Sequence, residues 1–219
     1  MPPANGRPLP RVLMWVRTDV AGSEIVTVDT RAGLRARGSQ HAVDPVPYRL
    51  SYELEVDDGG ETTRLVAHAE GAGWTRDLDL VRAAGRWGCT VAAAGTPDLA
   101  AFDGSGLRPA ALPGTADPAS LRDAVDVDLG GSPLTNALPV RRLGLLTAPI
   151  GTVTDLVSAW VLPPTLEVVA SVQTYAVMGD RRIRFGDGVS GADVQYGIDG
   201  WAVDYPGLAR RVASVSSEI

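Results

Sequence analysis

Tyr48-Arg49-Leu50-Ser51-Tyr52-Glu53-Leu54-Glu55-Val56-Asp57-Asp58-Gly59-Gly60 alternates without a fault: Tyr48, Leu50, Tyr52, Leu54 and Val56 fall on one side, Arg49, Ser51, Glu53, Glu55 and Asp57 on the other. Side chains of a strand change face at every residue, so this stretch is a strand with one dry and one wet face. Asp57-Asp58-Gly59-Gly60 supplies a hairpin turn, and Thr62 to Ala69 runs back as the partner strand. Upstream, Arg11 to Arg17 reads as a strand around Trp15, followed by a turn at Gly22 and a strand from Glu24 to Asp29. Glu24 begins that strand, where an acid is expected to be a solvated edge residue. Downstream, Trp74 to Val81 and Gly85 to Val91 form a hairpin about Ala83-Ala84-Gly85. Hairpins repeated at this spacing predict an all-β chain, mainly antiparallel. One large curved sheet forms an unclosed β-barrel with at most two short helices, and no βα repeat.

The later strands are expected at Leu138 to Leu146, Leu156 to Leu162, Leu166 to Val177, Arg181 to Phe185, Ala192 to Ile198 and Trp201 to Tyr205. Pro163-Pro164 must interrupt the sheet or lie at an edge. Leu208 to Val212 is too short to decide. Between residues 92 and 120 the composition shifts to Ala, Gly, Pro and Asp, which reads as a loop insertion; Ser120 to Ala124 reads as a short helix capped by Ser120. Residues 1–10 hold four prolines and little to bury, and are expected to be disordered. The remainder, 11–219, suits one β-barrel-like domain at 219 residues and 45% hydrophobic content.

All 20 basic residues are arginine, so Schiff-base chemistry, a phosphate-loop lysine and a lysine base are excluded. A net charge of −6 without a basic run argues against a nucleic-acid partner. The single Cys89 cannot form an internal disulfide, residues 1–10 carry no apolar signal region, and no apolar run approaches a membrane span. A cytoplasmic protein is the expectation. His41 and His68 lie far apart, no Gly-x-Ser-x-Gly occurs, and no cluster of soft ligands suggests zinc. We therefore expect no metal and no cofactor.

Chemistry concentrates in Asp126-Val127-Asp128-Leu129-Gly130-Gly131-Ser132-Pro133-Leu134-Thr135-Asn136-Ala137-Leu138-Pro139-Val140-Arg141-Arg142-Leu143. In extended backbone Asp126 and Asp128 share a face. If Leu138 to Leu146 is a strand, either Arg141 or Arg142 must face an apolar layer, and a guanidinium there needs a carboxylate, Asp126 or Asp128. The plain reading is a structural ion pair; the sharper one is a polar floor in an apolar pocket. Further along, Gln173 and Tyr175 share a strand face, and Tyr205 precedes Pro206.

This window resembles the signature segment of a bacterial glycolipid-binding family: acid, acid, small-Pro-bulky-Thr-Asn, then Leu-Pro-aliphatic-Arg-Arg-Leu. Trp15, Glu24, Tyr48, Tyr52, Gln173, Tyr175 and Asp204-Tyr205-Pro206 extend the resemblance along the chain. Departures are Leu134 in place of a larger aromatic, Ala137 in place of a hydroxyl, and the 92–120 stretch. The resemblance implies an unclosed antiparallel barrel similar to lipoprotein carriers, with an apolar cavity. The expected function is binding of an amphipathic lipid or glycolipid-like molecule, with Asp126, Asp128, Asn136, Arg141, Arg142, Gln173, Tyr175 and Tyr205 as ligand-binding candidates. The alternative is a cofactor-free enzyme of cyclase or isomerase type, with Asp126 or Asp128 as acid or base on a small hydrophobic substrate. A third reading is a structural domain with a filled core.

Overall fold

The structure is a computed structural model that describes residues 11–97, 112–188 and 191–216. The N-terminal decapeptide and most of the stretch between residues 92 and 112 lie outside the described residues. Seven strands come first: β1 Arg11–Arg17, β2 Gly22–Asp29, β3 Leu34–Ala42, β4 Tyr48–Val56, β5 Thr62–Gly71, β6 Trp74–Ala83 and β7 Arg86–Ala94. After a 3-10 turn at Pro118–Leu121 come β8 Ala124–Leu129, helix α1 Pro133–Arg142 and a second 3-10 turn at Leu145–Thr147. Six strands close the chain: β9 Val153–Leu162, β10 Glu167–Gly179, β11 Arg182–Gly186, β12 Gly191–Tyr196, β13 Ala202–Tyr205 and β14 Ala209–Ser216.

All 14 strands join one sheet in the order β7-β6-β5-β4-β3-β2-β1-β14-β13-β12-β11-β10-β9-β8, and the sheet does not close. Two meanders fan out from the central β1–β14 pair, and only β8 runs parallel to its neighbour. The sheet curls until β8 reaches β5 and β7, where side chains replace a ladder. Thr62 Oγ1 accepts from the Val127 amide at 3.2 Å, and the Trp87 indole donates to the Ala124 carbonyl at 2.9 Å. The backbone groups on the free edge of β8 thus find partners without a closing strand.

The inward face carries the core, including Leu13, Trp15, Val26, Leu50, Leu54, Leu65, Leu78 and Leu80. One cross-strand pair fixes a tyrosine. Gly38 stands opposite Tyr52, and a Cβ at Gly38 would lie 2.3 Å from the Tyr52 ring, so the ring lies flat over bare backbone.

The strand expected over Leu138 to Leu146 is instead the end of α1 and the turn after it. Ser132 and Pro133 are a helix start: the Ser132 side chain accepts from the Thr135 amide, and proline at the first helical position loses no bond. Leu134 to Val140 are all buried, so the helix has no wet face and shows no 3.6-residue pattern. It fills the hollow of the curled sheet, so the middle of the barrel, where the resemblance implies an apolar cavity, holds Leu134, Ala137, Leu138 and Val140. The short helix expected at Ser120 to Ala124 is the 3-10 turn Pro118–Leu121, capped by Asp117, while Ala124 opens β8. Pro163-Pro164 falls in the turn between β9 and β10. Strands β3 and β14 were not anticipated.

Candidate functional site

α1 returns alongside β8, so both acids of β8 face it. At its last turn Arg142 donates through Nε and Nη2 to Asp126, the latter at 2.5 Å, with the Asp126 side chain 1% exposed and that of Arg142 17%. Burial pushes the Asp126 carboxyl above its ordinary value, against the pull of Arg142. Arg141 goes elsewhere: its guanidinium lies 4.3 Å from the Trp201 ring centroid and donates to the Asp199 carbonyl. Both arginines border a hollow of about 450 Å³ between the β2–β3 and β4–β5 turns, with Arg31, Asp57 and Asp58.

At the first turn of α1 the other candidates converge. Gln173 Nε2 donates to Asp128 Oδ2 at 2.6 Å, and Thr135 Oγ1 lies 3.3 Å from Asp128 Oδ1. Ser158 and Tyr175 both donate to Gln173 Oε1, at 2.9 and 3.1 Å. Asn136 Nδ2 reaches Tyr175 at 3.5 Å, and Tyr196 donates to Asn136 Oδ1 at 2.9 Å. Each group orients the next, from Tyr196 through Asn136, Tyr175 and Gln173 to Asp128. Burial pushes the Asp128 carboxyl up to about 6, with Gln173 and Thr135 pulling it down and Asp187 adding to the rise. Burial also raises the phenols of Tyr175, Tyr196 and Tyr205.

This chain of groups forms the wall of a pocket of about 150 Å³ lined by Asp128, Asn136, Trp160, Gln173, Phe185 and Tyr205, among others. Phe185 packs edge-on against Tyr175 at 5.4 Å and Tyr205 at 6.1 Å. A larger hollow of about 700 Å³, lined by Thr174, Ala176, Arg184, Phe185 and Asp193 among others, lies by the outer strand face that carries the exposed Arg184–Asp193 pair, opposite the face of Gln173 and Tyr175. Asp128, Asn136, Gln173, Tyr175 and Tyr205 therefore gather at one place, while Asp126, Arg141 and Arg142 sit toward the other end of α1. Ser158, Trp160 and Phe185 escaped the sequence reading, the first because a lone serine in an apolar strand carries no signal. Tyr196 was legible as an inward residue of an alternating strand, though not as a site residue.

A second polar group lies behind the helix start. Glu24 is 1% exposed, contrary to the solvated edge expected for it; Tyr52 and Ser132 donate to its Oε1 at 2.6 and 2.7 Å. Burial raises its carboxyl. Its second oxygen and the amide of Gln40, opposite it on β3, have no well-formed hydrogen bond.

Among the described residues no group of three or more His, Cys, Asp and Glu could hold a metal ion, and no helix is long and apolar enough to cross a membrane. The structure is similar to the crystal structure of a DUF1089 family protein from Pseudomonas aeruginosa, with a TM-score of 0.65 and 22% identity over 90% of this chain and 95% of that one. At that identity the likeness speaks for the fold. No curated protein matches the chain. The family model described as "Putative glycolipid-binding" matches residues 12–211, from the second residue of β1 into β14. By that match across nearly its whole length, the chain belongs to the family so described.

Proposed function

We propose that the protein binds an amphipathic lipid or glycolipid-like molecule, its head against the Asp128–Gln173–Tyr175–Asn136 wall and its chain leaving along Trp160, Phe185, Tyr205 and Leu208. The observation that carries this reading is the small pocket itself, where the oriented polar groups Asp128, Asn136 and Gln173 stand beside Trp160, Phe185, Tyr205 and Leu208. A binding site for such a molecule needs that division: much apolar lining and a few fixed polar groups. Relative to the sequence expectation, the guest lies between α1 and strands β10–β13 and not in the middle of the barrel. A fluorescent fatty-acid probe displaced by unlabelled lipid tests it. Wild type should show saturable uptake, and Ser171→Trp, which crowds the pocket, should lose most of it while keeping its circular dichroism. No saturable uptake by the folded wild type would remove the proposal.

The enzymatic alternative draws on one fact: a carboxyl near 6 at Asp128 is suited to proton transfer around neutral pH. A bound guest recovered chemically unchanged after prolonged incubation favours carriage. A guest converted at a rate that titrates near pH 6 and is lost in Asp128→Asn favours the enzyme.

A further inference from the structure

Resting on that binding reading, we propose that the small pocket selects a head group bearing a positively charged amine, an organic ammonium in place of a neutral or anionic head. Four observations support it. The pocket is lined by two carboxylates, Asp128 and Asp187, and among the described residues no arginine or histidine lines it. Asp128 accepts from two neutral donors, Gln173 and Thr135, and no cation acts on it. Three aromatic side chains, Trp160, Phe185 and Tyr205, share the lining with the acids. Aromatic faces attract a desolvated ammonium, and an adjacent carboxylate completes the usual recognition of such a group. The volume of about 150 Å³ equals the share of roughly five liquid waters, room for a methylated or aminoethyl head and little more.

The charges around the pocket agree. Arg17 stands beside the pocket with Nη1 against Gly131, and its Nε and Nη2 are engaged by Asp19 at 2.7 and 2.5 Å. The groups facing Asp128 from β10, β12, β13 and the β11–β12 connection are the phenols of Tyr175, Tyr196 and Tyr205, all raised by burial, and the Asp187 carboxyl, which adds to the rise at Asp128. A carboxylate buried without a counter-charge is costly, and a cationic guest removes that cost on binding. Anionic heads meet the reverse field. Asn136, Gln173 and Ser171 can still orient hydroxyls carried beside the ammonium.

The test is calorimetric titration of three amphiphiles with the same eight-carbon tail, each below its micelle concentration: octyltrimethylammonium, octyl glucoside and octanoate. The expected order is the ammonium at least about tenfold tighter than the glucoside, with octanoate weakest. Asp128→Asn should cost the ammonium about tenfold or more and a clearly larger factor than it costs the glucoside, with an unchanged circular dichroism spectrum showing that the variant is folded. Wild-type affinity for the ammonium should fall roughly tenfold from pH 7 to pH 5 as Asp128 takes up its proton. Glucoside binding as tight as the ammonium, or an equal loss of both in Asp128→Asn, overturns the ammonium assignment and leaves the amphiphile reading standing. No saturable binding of any of the three overturns both.

Discussion

Asp128 and Asp126 are two residues apart on one strand face, yet burial meets them differently. Asp126 has a bidentate arginine; Asp128 has an amide and a hydroxyl. A carboxyl held near 6 in the folded chain, against about 3.9 in an unfolded one, keeps its proton to higher pH when folded. Its stabilising effect is fully present below about pH 4 and is lost as pH rises through 6, a difference of ~3 kcal/mol. Asp128→Asn, with its amide oxygen toward Gln173, should therefore stabilise the ligand-free protein by up to ~3 kcal/mol at pH 7 and hardly at all at pH 4. Urea unfolding of both proteins at the two pH values checks this; an equal gain at both would show that charge is not the cause. Burial raises Asp126 as well, but there a cation opposes it. Arg142→Met strands a buried carboxylate and should cost ~3–5 kcal/mol, whereas adding Asp126→Asn should recover most of it. A double variant no more stable than the single one would mean that the arginine acts through its packing alone.

Among the elements, β3 and α1 show where sequence was silent and why. β4 announces itself because its inward side chains are large: Tyr48, Leu50, Tyr52, Leu54 and Val56. Its neighbour β3 turns Leu34, Ala36, Gly38, Gln40 and Ala42 to the same interior, and small or polar residues leave no hydrophobic period to read. They are small because β4 is large, a complementarity visible only once the strands are paired. Gly38→Ala tests that dependence. The added methyl meets the Tyr52 ring, and displacing it also breaks the bond to Glu24, so a loss of roughly 1–3 kcal/mol in a thermal or urea melt is expected. An unchanged melt would mean that the ring moves freely. α1 was missed for the opposite reason. Buried all round, it offered no amphipathic stripe, and Arg141-Arg142 after Leu138 imitated an alternating strand; the Ser132-Pro133 cap was the readable clue. The acid–arginine pairing nonetheless followed from the cost of a lone buried charge, which does not depend on the element that carries it.

For the whole molecule, the mainly antiparallel unclosed sheet was legible from hairpins and turns, because each is a local event. The gathering of Asp128, Asn136, Gln173, Tyr175 and Tyr205 was only half legible: same-face pairs within one strand could be named, but which strands face one another depends on the curl. The strand order also carries a consequence for how the chain is made. β1 to β7 form a meander of neighbours in sequence, and each hairpin can pair as soon as it leaves the ribosome. The far side of β1 is different, since its partner is β14, with Arg11 opposite Ser216. Through most of synthesis β1 therefore presents a bare row of peptide groups, and the most distant pairing in the molecule is the one that finally covers it. A nascent chain stalled before β14 would carry an open template for another copy's strand, and the arrival of β14 ends that hazard of misassembly.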